Sequence, residues 1–274
     1  MHRLVLAAVL CAAGCQQQPK APAEPAQLTY EGAAPTEAAK VAHGRRLAEI
    51  LDCTGCHGSN RQGKNMADKP ADGAMYSPNI TLLVPTYSDA ELDRLIRHGV
   101  PKDHREFWFM QVENYQFLSD ADFNALVAYL RTLKPAGKVL PAFKFNRVEY
   151  KDVEQGLLGD AQAQIRKYRA SQPVDLGPEH AWGRYMVKTT CTACHNNALQ
   201  GWTNFTPNLD IAGTYSKAEL TRLLTTGEGK TKKDLGPMTG MGRDHFSHLT
   251  SREREAIVDY ILARANRPQP AGAN

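Results

Sequence analysis

The stretch Cys-Thr-Gly-Cys-His at 53–57 decides the fold of this chain, because nearly the same stretch, Cys-Thr-Ala-Cys-His, returns at 191–195. The chain has 274 residues, enough for two modest domains, one around each stretch. It contains six cysteines, and the two outside these stretches, Cys11 and Cys15, lie near the N-terminus. The remaining cysteines therefore form two pairs, each followed directly by a histidine.

A Cys-x-x-Cys-His pattern is typical of covalently attached haem. The two thiols can reach the two vinyl groups of one porphyrin as thioethers, and the histidine can place its imidazole under the iron. Zinc sites and thioredoxin-type dithiols also use Cys-x-x-Cys. Zinc, however, has no need of a histidine at the same offset twice, and a dithiol motif is expected in a βαβ setting that this sequence lacks. The sequence thus predicts two haems c, with the attachment and ligand residues Cys53, Cys56 and His57 for one and Cys191, Cys194 and His195 for the other.

An internal repeat surrounds the two stretches. Each is preceded by a Gly-Arg pair in a helical pattern and followed by Pro-Asn, then by a Tyr-Ser-x-Ala-Glu-Leu stretch. Ser88 and Ser216 each stand three residues before a Glu, which is the capping box of a helix start. A further capped helix closes each half, beginning at Ser119 and at Thr250. No run alternates long enough to indicate a sheet.

The N-terminus has the pattern of an export signal. Arg3 precedes the short apolar run 4–10 and then Ala-Ala-Gly-Cys at 12–15, which is too short to span a bilayer. The small residues before Cys15 resemble a bacterial lipobox, although Ala12 stands where Leu is usual; an ordinary cleaved signal ending near the same point is the alternative. The following segment is rich in Pro, Ala and Gln and is expected to be a flexible tether. We therefore expect a periplasmic protein held at the membrane by a lipid on Cys15.

These patterns predict an all-α fold of two tandem domains joined by a partly helical connector. The connector is expected to contain a short helix around 160–168. The formal net charge is +4, too small and too mixed to indicate a nucleic-acid partner. The expected boundaries are 1–14 for the signal peptide, 15–36 for the lipidated N-terminus and tether, 37–134 for domain 1, 135–177 for the connector, 178–267 for domain 2 and 268–274 for a tail.

The motifs and the repeat together resemble the class I cytochromes c, and specifically the exported dihaem cytochromes c of Gram-negative bacteria. The likeness covers both domains and the connector stretch 140–147. It implies helices wrapped around each haem and the role of an electron carrier rather than an enzyme. In that family a proline after the attachment motif offers its carbonyl to the ring N–H of the ligand histidine, and Pro78 and Pro207 match that position. Such an acceptor orients the imidazole and increases its basicity.

The resemblance further implies a methionine as the sixth iron ligand, in the loop before the last helix of each domain. In domain 1 this is Met110. In domain 2, counting forward from the repeated Tyr-Ser stretch gives Met238, and counting back from the last helix gives Met241. The Gly-Pro-Met context favours Met238, with Met241 as the alternative. His245 and His248 are further possible ligands, but a place at the surface or beside a haem propionate is favoured for them.

An iron with His and Met on both axial positions has no vacancy for a substrate, so outer-sphere electron transfer is expected. The chain would act as a free carrier or as the cytochrome subunit of a dehydrogenase complex, with a dehydrogenase, an oxidase or another cytochrome as its redox partner. The alternative is a dihaem peroxidase-like enzyme with one labile axial ligand, which requires that the methionine of domain 2 is not bound. Lys230, Lys232 and Lys233 before the Met238 loop form either a basic rim that would steer an acidic partner or an ordinary solvated loop.

Overall fold

The structure is a computed structural model that describes residues 28–32, 36–66, 75–104, 107–141 and 159–268. Over these residues the protein is helical, and its β-structure is confined to two isolated bridges, Asn65 with Tyr76 and Trp202 with Thr206. The all-α prediction is therefore confirmed. No helix in the described ranges is long and apolar enough to cross a membrane. The predicted signal peptide, Cys15 and most of the tether and tail lie outside the described residues.

Twelve α-helices can be followed through the described ranges. Those of domain 1 are α1 (Glu37–Ile50), α2 (Cys53–His57), α3 (Ile80–Leu83), α4 (Asp89–Ile96), α5 (Val112–Tyr115) and α6 (Asp120–Arg131). The connector contains α7 (Ala161–Ala170), the short helix expected there. Those of domain 2 are α8 (Ala181–Thr190), α9 (Thr192–His195), α10 (Lys217–Thr226), α11 (Pro237–Gly240) and α12 (Ser251–Asn266). A π-helical turn, Met241–His245, follows α11.

The first and last helices of each domain cross at a glycine. A Cβ atom added to Gly44 of α1 would lie 1.8 Å from the carbonyl oxygen of Ala125 in α6. A Cβ atom added to Gly183 of α8 would lie 2.1 Å from the carbonyl oxygen of Ala256 in α12. Because neither distance leaves room for a side chain, the glycine of each Gly-Arg pair lets two helix backbones touch. The repeat seen in the sequence is thus a repeat of packing.

The helix starts follow the capping pattern that the sequence predicted. Ser88 before α4 and Ser216 before α10 each accept a hydrogen bond from the amide of the Glu three residues on, and that Glu bonds back to the serine amide. Thr250 and Glu253 form the same reciprocal box before α12. Ser119 caps α6, whereas the carboxylate of Asp122 is used elsewhere. These caps satisfy amides that a helix start leaves without partners.

The two domains contact each other through a reciprocal pair of buried carboxylates. Asp122 and Glu253 hold the same position, the third residue of the last helix in each domain, and both are fully buried. The hydroxyl of Tyr185 in α8 donates to Asp122 (2.6 Å), and the guanidinium of Arg46 in α1 donates to Glu253 (2.6 and 2.9 Å). The first helix of each domain therefore binds the last helix of the other, and one hydrophobic core cluster contains residues of both.

Residues 29–31, which we call the N-terminal clasp, lie between the two domains. The amide of Tyr30 donates to Asp122 (3.0 Å), and the amide of Glu31 donates to Glu253 (2.7 Å). Trp182 donates from its indole to the carbonyl oxygen of residue 29 (2.7 Å). Only 1% of the surface of Tyr30 is exposed. The clasp thus bonds to both buried carboxylates at once.

The connector helix α7 covers the loop that carries Met110. The amide of Ala161 donates to the carbonyl oxygen of Phe107 (2.8 Å), and Ala161 and Ile165 form a small apolar cluster with Val112, against which Met110 packs. At its other end α7 reaches domain 2. The connector is therefore part of the wall of domain 1 as well as a link to domain 2.

Candidate functional site

The first attachment motif forms a short helix whose start is fixed by Asp52. This residue has a left-handed backbone (φ 55°), and its side chain accepts a hydrogen bond from the amide of Gly55 (2.7 Å). The chain then turns back at Gly63, which has φ 77° and donates from its amide to the carbonyl oxygen of His57 (2.9 Å). Both thiols and the imidazole ring are thereby presented from a single helical turn.

The ring of His57 is oriented by Pro78. Its Nδ1–H donates to the carbonyl oxygen of Pro78 over 2.9 Å. In domain 2, Nδ1–H of His195 donates to the carbonyl oxygen of Pro207, also over 2.9 Å. Since Nδ1 is used in both rings, Nε2 is the nitrogen that can bind iron. The structure therefore brings together each histidine and proline that the resemblance paired.

A hydroxyl group directly before each proline was missed by the sequence analysis. Ser77 donates to the carbonyl oxygen of Cys56 (2.5 Å), and Thr206 donates to that of Cys194 (2.5 Å). Each bond ties the proline loop to the end of the attachment motif. The signal was present in the sequence, as a Ser-Pro pair and a Thr-Pro pair at matching places in the repeat.

The electrostatic environment keeps the four thiols protonated and the two imidazoles neutral at neutral pH. Burial raises the pKa of the Cys53 thiol to about 12 and that of Cys191 to about 11. Burial lowers the pKa of His57 and of His195, against the opposing effect of the hydrogen bonds to the proline carbonyls. Neutral imidazole is the form that binds a metal.

The four cysteines of the described ranges are free, so neither pair forms a disulfide. Within these ranges no three His, Cys, Asp or Glu side chains converge on a point that could hold a metal ion. The two cysteine pairs therefore do not share one site. Two separate pairs of unpaired thiols, each beside a neutral histidine with a free Nε2, fit two covalently attached haems.

Met110 lies in a sharply turned loop of domain 1. Phe109 before it has φ 64°, a left-handed conformation that is costly for a bulky side chain. Met110 is half-buried and packs against the core. A cavity of about 570 Å³ is lined by Met110, Tyr168 of α7, and Cys194 and Trp202 of domain 2. The Met110 loop and the second attachment motif thus border the same space.

Met238 and Met241 of domain 2 are both half-buried and both pack against the core. Met238 lies in α11, and Met241 begins the π-helical turn. His245 lies at the domain interface, where Nδ1–H donates to the carbonyl oxygen of Glu49 (2.8 Å). The choice between the two methionines stays a prediction.

Two buried arginines support the attachment motifs and were also missed. Arg61, in the loop after the first motif, pairs with Glu49 (2.6 Å). Arg264 of α12 pairs with Asp210 (2.5 Å) in the loop after Pro207. The side chains of both arginines are 2% exposed. Because the two arginines come from different places in the repeat, comparing the two halves of the sequence could not have revealed them.

The basic rim expected before Met238 is partly engaged within its own domain. The ammonium of Lys230 donates to the carbonyl oxygen of Thr214 (2.5 Å) and lies 3.4 Å from the carboxylate of Glu219. Lys232 and Lys233 are exposed. Their role in steering a partner stays a prediction.

Two Cys-x-x-Cys-His turns in a helical fold are typical of a haem-binding protein that transfers electrons. A family model described as cytochrome c matches residues 41–134 and 181–265. The chain belongs to the cytochrome c family. It is a two-domain cytochrome c that binds haem c and carries electrons.

Three similar proteins are named as subunits of dehydrogenases. The chain is similar to a nicotinate dehydrogenase subunit of Pseudomonas putida, with 27% identity over 92% of this chain and 24% of the relative. It is similar to the fructose dehydrogenase cytochrome subunit of Gluconobacter japonicus, with 25% identity over 86% of this chain and 55% of the relative. A shorter match, 30% identical over 37% of this chain and 24% of the relative, is to the cytochrome c subunit of a quinone-dependent alcohol dehydrogenase of Gluconacetobacter polyoxogenes. The chain thus spans only about a quarter to about half of the length of these relatives.

Proposed function

We propose that the protein carries two haems c and passes electrons between a dehydrogenase and a later acceptor. One haem is attached to Cys53 and Cys56, and the other to Cys191 and Cys194. The proposed iron ligands are His57 and Met110 in domain 1, and His195 and Met238 in domain 2, with Met241 as the alternative to Met238.

The observation that carries this proposal is the same hydrogen bond in both domains. A histidine ring directly after a pair of free cysteines donates from Nδ1 to a proline carbonyl over 2.9 Å, twice. This bond fixes the ring plane and leaves Nε2 as the metal-binding nitrogen. A structural Cys-x-x-Cys turn without haem would have no need of such an oriented imidazole in both copies.

The residues around each site determine what chemistry is possible. Haem c, when bound, supplies an iron that accepts and releases one electron. The prolines orient the histidines, Met110 and Met238 would supply sulfur ligands to the two irons, and the apolar core would exclude water. An iron held by both a histidine and a methionine would offer no binding site to a substrate, so its chemistry would be electron transfer without a bond to the partner.

We further propose a dehydrogenase as the electron donor and the periplasm as the location. All three relatives described above are named as subunits of dehydrogenases, which supports the donor class. The apolar N-terminal run followed by Cys15 supports export and a lipid anchor.

The test is to count haems and then remove ligands one at a time. The holoprotein is expected to contain two haems per chain, and the variants C53A/C56A and C191A/C194A are expected to contain one each. Oxidised protein should show the far-red absorption band of methionine bound to ferric iron. Met110→Ala should remove about half of that band, Met238→Ala the other half, and Met241→Ala none.

The outcomes separate the alternatives. Loss of part of the band in Met241→Ala, with the band of Met238→Ala unchanged, would make Met241 the iron ligand instead of Met238. A high-spin ferric component in the unaltered protein would contradict six-coordination in one domain and favour the peroxidase-like alternative. A haem content of one would contradict the dihaem proposal itself.

A further inference from the structure

The loop that carries Met238 and Met241, which we call the distal loop of domain 2, reaches the first attachment motif. His245 faces acceptors of domain 1 with both ring nitrogens, the carbonyl oxygen of Glu49 (2.8 Å from Nδ1) and the carboxylate of Asp52 (3.1 Å from Nε2). Asp52 is the residue that caps the helix of that motif. The His245 side chain is only 13% exposed, so water competes little for these contacts.

The Met110 loop, which is the distal loop of domain 1, reaches the second attachment motif in the same way. Asn114 of α5 is fully buried, and its side-chain oxygen lies 3.1 Å from the hydroxyl of Thr192, between Cys191 and Cys194. The Thr192 hydroxyl has a single hydrogen, which it shares between this amide oxygen and the carbonyl oxygen of Lys188 (2.8 Å).

The amide of Asn114 keeps one atom without a partner. Its nitrogen is buried and makes no hydrogen bond to protein within the described residues. A buried amide nitrogen without an acceptor costs free energy unless a further group meets it. Glu113, the neighbour of Asn114 in α5, lines the cavity that Met110 and Cys194 border.

The two contacts are related by the repeat. Asn114 stands four residues before Leu118, and His245 stands four residues before Leu249, the leucines that precede the caps of the two last helices. The reciprocal pairing of Arg46 with Glu253 and of Tyr185 with Asp122 follows the same exchange between domains. The cross-domain contacts are therefore a matched pair.

We propose that each haem-attachment turn is held by the distal loop of the other domain, so that His245 is a positioning residue for the first haem and Asn114 for the second. This inference rests on the proposed function, because it needs a haem in each domain. Its consequence is that a change in one distal loop alters the electronic environment of the opposite haem.

The experiment uses the full-length holoprotein with Asn114→Ala and His245→Ala made singly. Tyr115→Phe is the control for the first, since the Tyr115 hydroxyl in the same helix donates to the carbonyl oxygen of Leu51 in its own domain (2.8 Å). Arg243→Gln is the control for the second, since the exposed Arg243 pairs with its neighbour Asp244 (2.7 Å).

Two measurements are made on each variant. A spectroelectrochemical titration gives the distribution of one electron between the haems, and proton NMR of the oxidised protein gives the shifted haem methyl signals. Full-length chains lacking one cysteine pair assign each signal to its haem. Asn114→Ala should move the signals of the domain 2 haem and His245→Ala those of the domain 1 haem, each changing the electron distribution at least about threefold.

The neighbouring control gives the sharpest contrast. Tyr115→Phe should move only the domain 1 signals, although it lies beside Asn114, and Arg243→Gln should move neither set. The milder variants Asn114→Asp and His245→Gln repeat the test if an alanine variant does not fold. Two haems per chain with no cross-domain change in either variant would overturn the inference, whereas a haem content below two would instead contradict the proposed function.

Discussion

The two domains hold their histidines identically and their distal loops differently. The Nδ1 to proline-carbonyl distance is 2.9 Å in both, and the hydroxyl bond before the proline is 2.5 Å in both. The histidine side of each site is built from tight turns and backbone hydrogen bonds, which tolerate little variation. The methionine side of each site is built from side-chain packing, and different elements cover it in the two domains.

That difference is visible at the end of the middle helix of each domain. Gly99, after α4, packs against Ala161 of the connector, to which a Cβ added to Gly99 would come within 2.7 Å. The matching Gly227, after α10, packs against the carbonyl oxygen of Thr239, at 2.1 Å from such a Cβ. Domain 1 therefore depends on the connector helix, whereas domain 2 folds its own distal loop into a helical turn.

The largest expected difference between the domains concerns their buried arginines. Arg61→Met leaves Glu49 without its cation, and because Glu49 is 27% exposed we expect a loss of about 3 kcal/mol in the free energy of unfolding. Arg264→Met should cost only about 2 kcal/mol, since Arg267 still holds Asp210 (2.7 Å). Urea unfolding of both holoproteins at pH 7 measures the two losses. Equal losses would mean that Arg267 does not substitute for Arg264.

The same variant predicts a pH dependence. Burial alone raises the pKa of Glu49, but the hydrogen bond from Thr54 and the charge of Arg61 outweigh it and hold that pKa below its usual value. A lowered carboxyl pKa contributes stability above the pKa of the unfolded chain and loses it as the pH falls through the folded pKa. The stability difference between the unaltered protein and Arg61→Met should therefore shrink as the pH falls below about 4. A difference that stays constant down to pH 3 would contradict this role for Glu49.

The glycine crossings should behave alike in the two domains. Gly44→Ala and Gly183→Ala each force a methyl group against a backbone carbonyl, so we expect each to cost about 2–3 kcal/mol. Gly213→Ala is the control, because the nearest atoms lie 3.6 Å from its Cβ, and it should change stability by less than about 0.5 kcal/mol. Thermal unfolding followed at the haem absorption compares the three. If either Gly44→Ala or Gly183→Ala unfolded at the same temperature as the unaltered protein, the two helix crossings would not be equivalent.

The smallest effect is expected at the hydroxyl groups before the prolines. Ser77→Ala and Thr206→Val each remove one hydrogen bond to the end of an attachment motif and should cost about 1 kcal/mol. Thr214→Val, at an exposed hydroxyl that bonds within its own turn, should be close to neutral. Denaturant midpoints of the three holoproteins give the comparison, and a cost in only one domain would show that the histidine sides are less alike than their distances indicate.

Much of the fold follows from local sequence patterns. The helices after Ser88, Ser119, Ser216 and Thr250 begin where their capping residues predicted, because a cap is a contact between residues three positions apart. The all-α class and the helix in the connector follow from the same local patterns. The pairing of each histidine with its proline came from the family resemblance, and the structure places the histidine Nδ1 within hydrogen-bond distance of the proline carbonyl oxygen.

What the sequence did not reveal are contacts between distant segments. Asn114 and Thr192 lie 78 positions apart, and His245 and Glu49 lie 196 apart, so no spacing or periodicity links them. The packing of α7 on the Met110 loop is equally non-local. The ambiguity between the two methionines of domain 2 arises because the segment from Tyr215 to Leu249 is longer than the matching segment from Tyr87 to Leu118, which makes the forward and backward counts disagree.

The N-terminal clasp has a mechanical consequence. Residues 29–31 are bonded to Asp122 in one last helix and to Glu253 in the other, and Tyr30 also bonds to Thr189. A force applied to residues 29–31 would therefore be shared between both domains. Hydrogen bonds to both last helices would bear the load, rather than contacts within one domain alone.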